Sequence, residues 1–341
     1  MPRIRYEFET KPSHGEAIAI DDGLLWLRMP LPGSLQHINL WLLEDDRGWV
    51  VVDTGLGTET TRELWKQVFD GPMGGRPVTH VVATHLHPDH VGCAGWLAQE
   101  FHTDLWMTRD EYMLCRILVA DTGKPAPPEG IQFYHAAGFS AQALERYRNN
   151  FGMFGKMVSA LPESYRRLAD GELLHFGRHE WQVLVGRGHS PEHACLYSAQ
   201  SNVVLAGDQL LPTISSNVSV WPTEPDANPL RDWLASLHDM QQRLPADVLV
   251  LPAHGKPFRG AHVRLQQIID EHEQKLTQLH QWCAQPRRVV DTFAALYKAR
   301  ISADNRILAT GEALAHLHFL MSEGQLIAEP DDDGVVWYHS T

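Results

Sequence analysis

The stretch Val78 to His90, VTHVVATHLHPDH, constrains this chain more than any other. Val78 to Thr84 is a β-branched run that reads as a strand. It runs straight into four side chains of metal-ligand type within six positions: His85, His87, Asp89 and His90. In extended backbone, residues two apart face the same way, so His85 and His87 can share one ion. Pro88 biases His87 toward extended geometry and bends the chain, which can aim Asp89 and His90 at a second position nearby. Imidazole with carboxylate suits zinc, and also iron or manganese. A solvated His-rich turn is the plainer alternative, but it does not explain why a buried strand feeds it.

Three later segments repeat the design. Gly186-Arg187-Gly188-His189-Ser190 follows a strand and puts His189 on a turn. Leu205-Ala206-Gly207-Asp208 ends in Asp208, and Val250 to Gly255 (VLPAHG) carries His254. Single ligands on loops at one edge of a sheet are where α/β proteins place their chemistry. The rest of the first half fits. Ile38–Leu43 and Trp49–Val52 read as strands around a Glu44–Gly48 connection, and Thr58–Phe69 as a helix with Leu64, Trp65 and Val68 on one side. Cys93–Phe101 reads as a helix, and Leu105–Met107, Trp181–Val185, Asn202–Ala206 and Val248–Leu251 as strands. Strands alternating with helices mean a layered α/β architecture.

From about Arg109 to Asp170 the pattern changes. Pro125, Pro127 and Pro128 precede a helical run from Ala141 through Met157, and aromatics are dense: Tyr112, Phe133, Tyr134, Phe139, Tyr147, Phe151, Phe154 and Tyr165. This insertion is expected to form a cap over the site, with ordinary core packing as the alternative. Arg146, Arg148, Lys156, Arg166 and Arg167 are candidates to meet a phosphate or carboxylate, or else a solvated face. After Gly260, helices at His262–Cys283 and Thr310–Ser322 precede two strands, Gly324–Ala328 and Val335–Tyr338, around an acidic turn. The chain is therefore divided into residues 1–260 and a small winged-helix-like module, residues 261–341.

A formal net charge of −13 argues against broad affinity for nucleic acid or anionic membranes. From Pro286 to Thr341, five bases face eight acids. Nucleic-acid binding through that module is the non-enzyme alternative, and this balance disfavours it; a protein contact such as a homodimer is the better use. The first residues lack a secretory pattern, and no apolar stretch is long enough to span a bilayer. Cys93, Cys115, Cys195 and Cys283 form no CxxC pair and read as reduced, buried thiols of a cytoplasmic protein.

The combination HxHxDH, GHS, AGD and AHG, preceded by VVDTGLG, resembles the metallo-β-lactamase superfamily over roughly Ile38 to Phe258. The resemblance implies an α/β fold, a four-layer αββα sandwich with two divalent ions at the open edge of its sheets. It implies that His85, His87 and His189 hold the first ion, that Asp89, His90 and His254 hold the second, and that Asp208 bridges them. Asp53 is expected to orient ligands rather than bind metal, with a simple turn-forming Asp as the alternative. His193 is expected near the ligands or the substrate, or in a structural role; His37 reads as structural. The wider pattern, including HSPEH, LLPTISSNVSVWP and NPL, is similar to the glyoxalase II-like, LACTB-type branch.

The expected chemistry is hydrolysis of an ester-type bond by a metal-bridging hydroxide. Zinc is the expected metal. Asp208 keeps both ions in place, and Asp89 can accept a hydrogen bond from the nucleophile. A small-molecule thioester (acyl-CoA or acyl-glutathione) is the substrate that the resemblance implies; a ribonuclease or phosphodiesterase, or a lactonase, is the alternative. An exported β-lactamase is disfavoured by Asp208, and a flavodiiron protein by His87. A mononuclear iron persulfide dioxygenase would carry one iron per chain. No Ser or Cys nucleophile is required, and no residue points to a substrate contact.

Overall fold

The computed structural model describes residues 3–341. Two seven-stranded sheets form its centre. The first runs in the order Ala17–Asp21, Leu24–Pro30, His37–Asp45, Gly48–Val52, Val78–Val82, Leu105–Met107 and Arg166–Arg167. The second runs Arg5–Tyr6, Phe258–Arg259, Leu249–Pro252, Val203–Gly207, His193–Ser198, His179–Gly186 and Leu173–Phe176. The central strands are apolar on both faces because both faces are covered. Val50, Val52 and Val82 point between the sheets, where they meet Trp181, Val183, Leu196, Leu205 and Leu251. Val51 and Val81 point the other way, toward Trp65, Val68, Leu97 and Tyr112 of the outer helices. Helix Pro229–Arg243 covers the far face of the second sheet through Trp233 and Leu237, so the layers are αββα as expected.

Two parallel strand pairs explain why one edge gathers the polar loops. Gly48–Val52 is parallel to Val78–Val82, and Val203–Gly207 is parallel to Leu249–Pro252. The carboxyl ends of each pair therefore emerge side by side, carrying Asp53 with His85–His90, and Asp208 with His254. At this edge the two sheets are bonded to each other. The Ala194 N–H donates to the Thr84 carbonyl at 2.8 Å and the Asn39 N–H to the Ala253 carbonyl at 2.7 Å. The Asn39 side-chain amide reaches the carbonyls of Pro252 and Gly255.

The insertion departs from expectation in detail. Two helices, Arg109–Ala120 and Pro128–Ala136, occupy its first half, where only prolines and aromatics stood out. The expected run from Ala141 to Met157 ends at Asn150, where Phe151 turns extended and Gly152 follows at φ +74°, and only a short turn at Phe154–Lys156 comes after. The aromatics mostly pack with one another. Tyr134, Phe139, Leu144 and Tyr147 form a small core of their own, while Tyr112 stacks on Tyr165 at 3.8 Å. Three of the five bases pair with acids: Arg146 with Asp304, Arg148 with Glu145, and Arg166 with Glu172.

The C-terminal segment holds helix Arg306–Ser322 and a three-stranded sheet, Arg287–Arg288, Val336–Ser340 and Leu326–Pro330. Leu314, Leu317, Leu320 and Tyr338 share one continuous core with Trp233, Leu265, Ile268 and Val250. Helix Ala261–Trp282 thus faces both the second sheet and the C-terminal helix. Among the described residues, no helix is long and apolar enough to cross a membrane.

Candidate metal centre

Seven side chains converge at the bonded edge. Ligand-type atoms of His85, His87, His189 and Asp208 lie within 4.8 Å of one another, and so do those of Asp89, His90 and His254. Asp208 faces both groups. Its Oδ2 is 3.3 Å from His189 Nε2, while its Oδ1 is 3.4 Å from His254 Nε2 and 3.6 Å from His90 Nε2. Asp89 Oδ2 is 3.4 Å from His254 Nε2. Ligand bonds of 2.0–2.1 Å arranged tetrahedrally put neighbouring donor atoms about 3.3 Å apart, which these spacings match.

The ring orientations fit ligation as well. His189 Nδ1 donates to the Asn217 carbonyl at 2.7 Å, and His254 Nδ1 to the His37 carbonyl at 2.9 Å. His90 Nδ1 is 2.8 Å from Asp53, and His85 Nδ1 is 3.1 Å from the Thr84 hydroxyl. Each outer partner leaves Nε2 pointing inward with its lone pair, the arrangement that orients metal-binding imidazoles. His87 differs, turning its Nδ1 toward His85 Nε2 at 2.8 Å. His90 Nε2 and Asp208 Oδ1 are buried with no protein hydrogen-bond partner. Buried polar atoms left without partners are costly, so the donor set fits two cations.

Electrostatics point the same way. Burial, reinforced by the neighbouring imidazoles, holds His85 well below the usual histidine range, and burial takes His87 down to about 3. Both are therefore in the neutral, ligating form. Burial also works against charge on His90, but Asp53, Asp89 and Asp208 outweigh it and hold that ring well above its ordinary value. For Asp208, burial is outweighed by His254 and His90, which keep the carboxyl well below its usual range. Three carboxylates around one buried imidazole make a field that a cation relieves.

Asp53 is wholly buried and adopts φ +60°, a left-handed conformation that Asp tolerates better than most residues. Its carboxylate accepts from the Thr84 N–H at 2.8 Å and from the Thr84 hydroxyl, besides meeting His90. These contacts suit a group that orients a neighbouring ligand. His193 is fully buried; its Nε2 accepts from the Asp208 N–H at 3.0 Å and its ring lies 4.7 Å from that of His85. The ring is therefore closed off from solvent beneath the Asp208 turn. His37 supports the turn after His254 by accepting from the Gly255 N–H. All four cysteines are buried and unpaired, and burial pushes the Cys93 thiol up to about 12.

Sequence reasoning missed Glu111 and Thr108. Thr108 and Glu111 stand at the positions of a capping box for helix Arg109–Ala120, yet neither caps it. The Glu111 carboxylate accepts from the Leu86 N–H at 2.9 Å and from the Glu192 N–H at 2.8 Å, so it ties the HLHPDH turn to the GHSPEH turn. Thr108 donates to the Glu192 carbonyl at 2.7 Å. The capping-box spacing was visible in the sequence, but its diversion to two distant turns was not.

The chain belongs to the metallo-beta-lactamase superfamily, whose family model matches residues 34–254. The model of the metallo-beta-lactamase-like C-terminal domain matches residues 276–341. A beta-lactamase domain protein from Burkholderia ambifaria has a solved structure that superposes with a TM-score of 0.91 at 39% identity, over 99% of this chain and 98% of that one. A probable metallo-hydrolase of Bacillus subtilis, YqjP, is 23% identical over 89% of this chain and 93% of its own length. Human MBLAC2, named an acyl-coenzyme A thioesterase, is 23% identical over 56% of this chain and 64% of its own length. Family, fold and donor set together make this chain a metallo-hydrolase.

Proposed function

We propose that this chain is a dinuclear, zinc-dependent hydrolase of small-molecule thioesters, such as acyl-CoA or acyl-glutathione. The observation that carries the dinuclear reading is Asp208, whose two oxygens face two separate groups of ligand atoms. The thioester is favoured by the likeness to the acyl-coenzyme A thioesterase. Two bound divalent ions supply an acidified water near neutral pH and polarise a substrate oxygen.

The protein's own groups divide the remaining work. His87 and Asp89 are only half-buried while the other ligands are buried, so substrate enters on their side. Asp89 is placed to hold the proton of the attacking water, and Asp208 keeps the two halves of the site in register. His189 and His254, each fixed through its Nδ1, present rigid Nε2 atoms and exclude bulk water from the far side. Cys93 and Cys115, the two thiols in the first half of the chain, do not compete as nucleophiles, since burial pushes each up to about 12.

The test is thiol release from a panel of acyl-CoA and acyl-glutathione thioesters by zinc-loaded protein, beside an Asp208→Ala variant. Turnover that disappears in the variant supports the proposal. Absence of turnover with zinc, manganese or iron removes the thioester and moves the search to lactones and phosphodiesters.

A further inference from the structure

The loop between Asp208 and Trp221 touches two of the proposed ligands. The Asn217 carbonyl accepts the Nδ1 proton of His189 at 2.7 Å, and the Ser216 hydroxyl donates to the Asp208 carbonyl. The loop has no regular secondary structure of its own, so its shape must come from what it leans on.

It leans on the C-terminal helices. The Asn217 side-chain amide donates to Glu312 at 3.3 Å, and Glu312 is pinned by Lys275 at 2.8 Å. Ser219 sits between the Asn217 side chain and the Leu308 carbonyl. The Val220 N–H donates to the Gly311 carbonyl at 3.1 Å. Gly311 permits that approach: a Cβ there would lie 2.6 Å from the Ser219 side chain and 2.9 Å from the Val220 carbonyl oxygen. At the loop's near end, Arg264 donates to the Leu211 carbonyl at 2.8 Å, and Ser215 meets His272 at 3.3 Å. These anchors come from helices Ala261–Trp282 and Arg306–Ser322, both lying beyond the catalytic motifs.

We infer that the C-terminal segment is a positioning element of the metal centre: helices Ala261–Trp282 and Arg306–Ser322 clamp the 209–220 loop, and the loop aims His189, a ligand of one ion only. The inference rests on the metal-centre reading above. It gives the segment a task within its own chain, where the sequence suggested a contact between chains. Partners that orient a metal-binding imidazole typically change metal affinity by about 10–100-fold when removed. Asn217 is informative because its carbonyl, which meets His189, survives any side-chain substitution.

The experiment is a stepwise zinc titration of the full chain against a competing chelator, for wild type, Asn217→Ala and Gly311→Ala, with near-ultraviolet circular dichroism confirming the native fold. The clamp predicts two binding steps in wild type. In Asn217→Ala it predicts that one step weakens by about tenfold or more while the other holds. Gly311→Ala, which pushes the loop off the helix, is expected to do the same. A general loosening of the fold would weaken both steps together and would overturn the clamp. So would two folded variants with wild-type affinities. A wild-type chain that takes up no zinc would instead remove the metal centre itself, and the clamp with it.

Discussion

The carboxylate of Asp53 lies 2.8 Å from Nδ1 of His90, with both side chains wholly buried. The same carboxylate takes the Thr84 N–H and hydroxyl, so it fixes the start of the HLHPDH turn as well as one ligand of it. Replacing Asp53 by Asn keeps the shape and the tolerance for positive φ but removes the charge. Asp53→Asn is expected to fold and to bind the ion at the Asp89–His90–His254 group about 10–100-fold more weakly. Competition with a chelator measures it; unchanged affinity would reduce Asp53 to a turn residue.

Glu111 holds two turns through backbone N–H groups 25 and 81 residues away in sequence, the first buried and the second part-buried. Glu111→Ala orphans both, at about 1–3 kcal/mol each. Urea denaturation of metal-free protein reads this directly, and a loss under about 0.5 kcal/mol would contradict the role, being within ordinary surface-mutation scatter.

The same residue has a pH signature. Burial, working against the hydrogen bonds from the Glu192 and Leu86 N–H groups, raises the Glu111 carboxyl from 4.5 to about 7. A raised folded-state value means the native chain holds the proton more tightly than the unfolded one. The group's contribution to stability is then fully present below about pH 4.5 and lost as pH rises through 7. Wild type should therefore lose ground to Glu111→Gln across that window, by about 1.4 kcal/mol per pH unit at most. A stability difference flat with pH between 4.5 and 7 would show that the carboxyl ionises normally.

Gly207 precedes Asp208 with φ +49°, and a Cβ there would lie 2.5 Å from the His193 ring. Gly207→Ala combines left-handed strain of about 1–2 kcal/mol with overpacking of about 1–3 kcal/mol. The variant should lose roughly 2–5 kcal/mol in chemical denaturation. A loss below about 1 kcal/mol would mean that the ring can retreat, and that His193 does not brace the Asp208 turn as described.

The candidate ligands stood out because each follows a strand ending in an apolar run, so that a His or Asp in the next few residues breaks the pattern. The layered α/β class followed from the same strands, and the αββα sandwich from the family likeness. What orients the ligands was less legible. Asp53 was suspected through family likeness, but Thr84, Glu111 and the Asn217 carbonyl act through contacts that only the folded chain creates. Asn217 contributes a backbone atom, which no residue type announces. The aromatic insertion misled for a related reason: Tyr134, Phe139 and Tyr147 look alike in sequence whether they face a ligand or each other, and here they face each other. The helix there stops at Asn150 rather than Met157 because the chain turns at Phe151 and Gly152, a stop that the helical pattern alone does not mark.

The account stands on Asp208 serving two ions at once. The most direct test is a crystal structure of zinc-loaded protein with anomalous data collected at the zinc edge. Two peaks are predicted, one beside Asp208 Oδ2 among His85, His87 and His189, the other beside Oδ1 among Asp89, His90 and His254. A single peak, or zinc bound away from Asp208, would contradict the dinuclear centre and the function built on it.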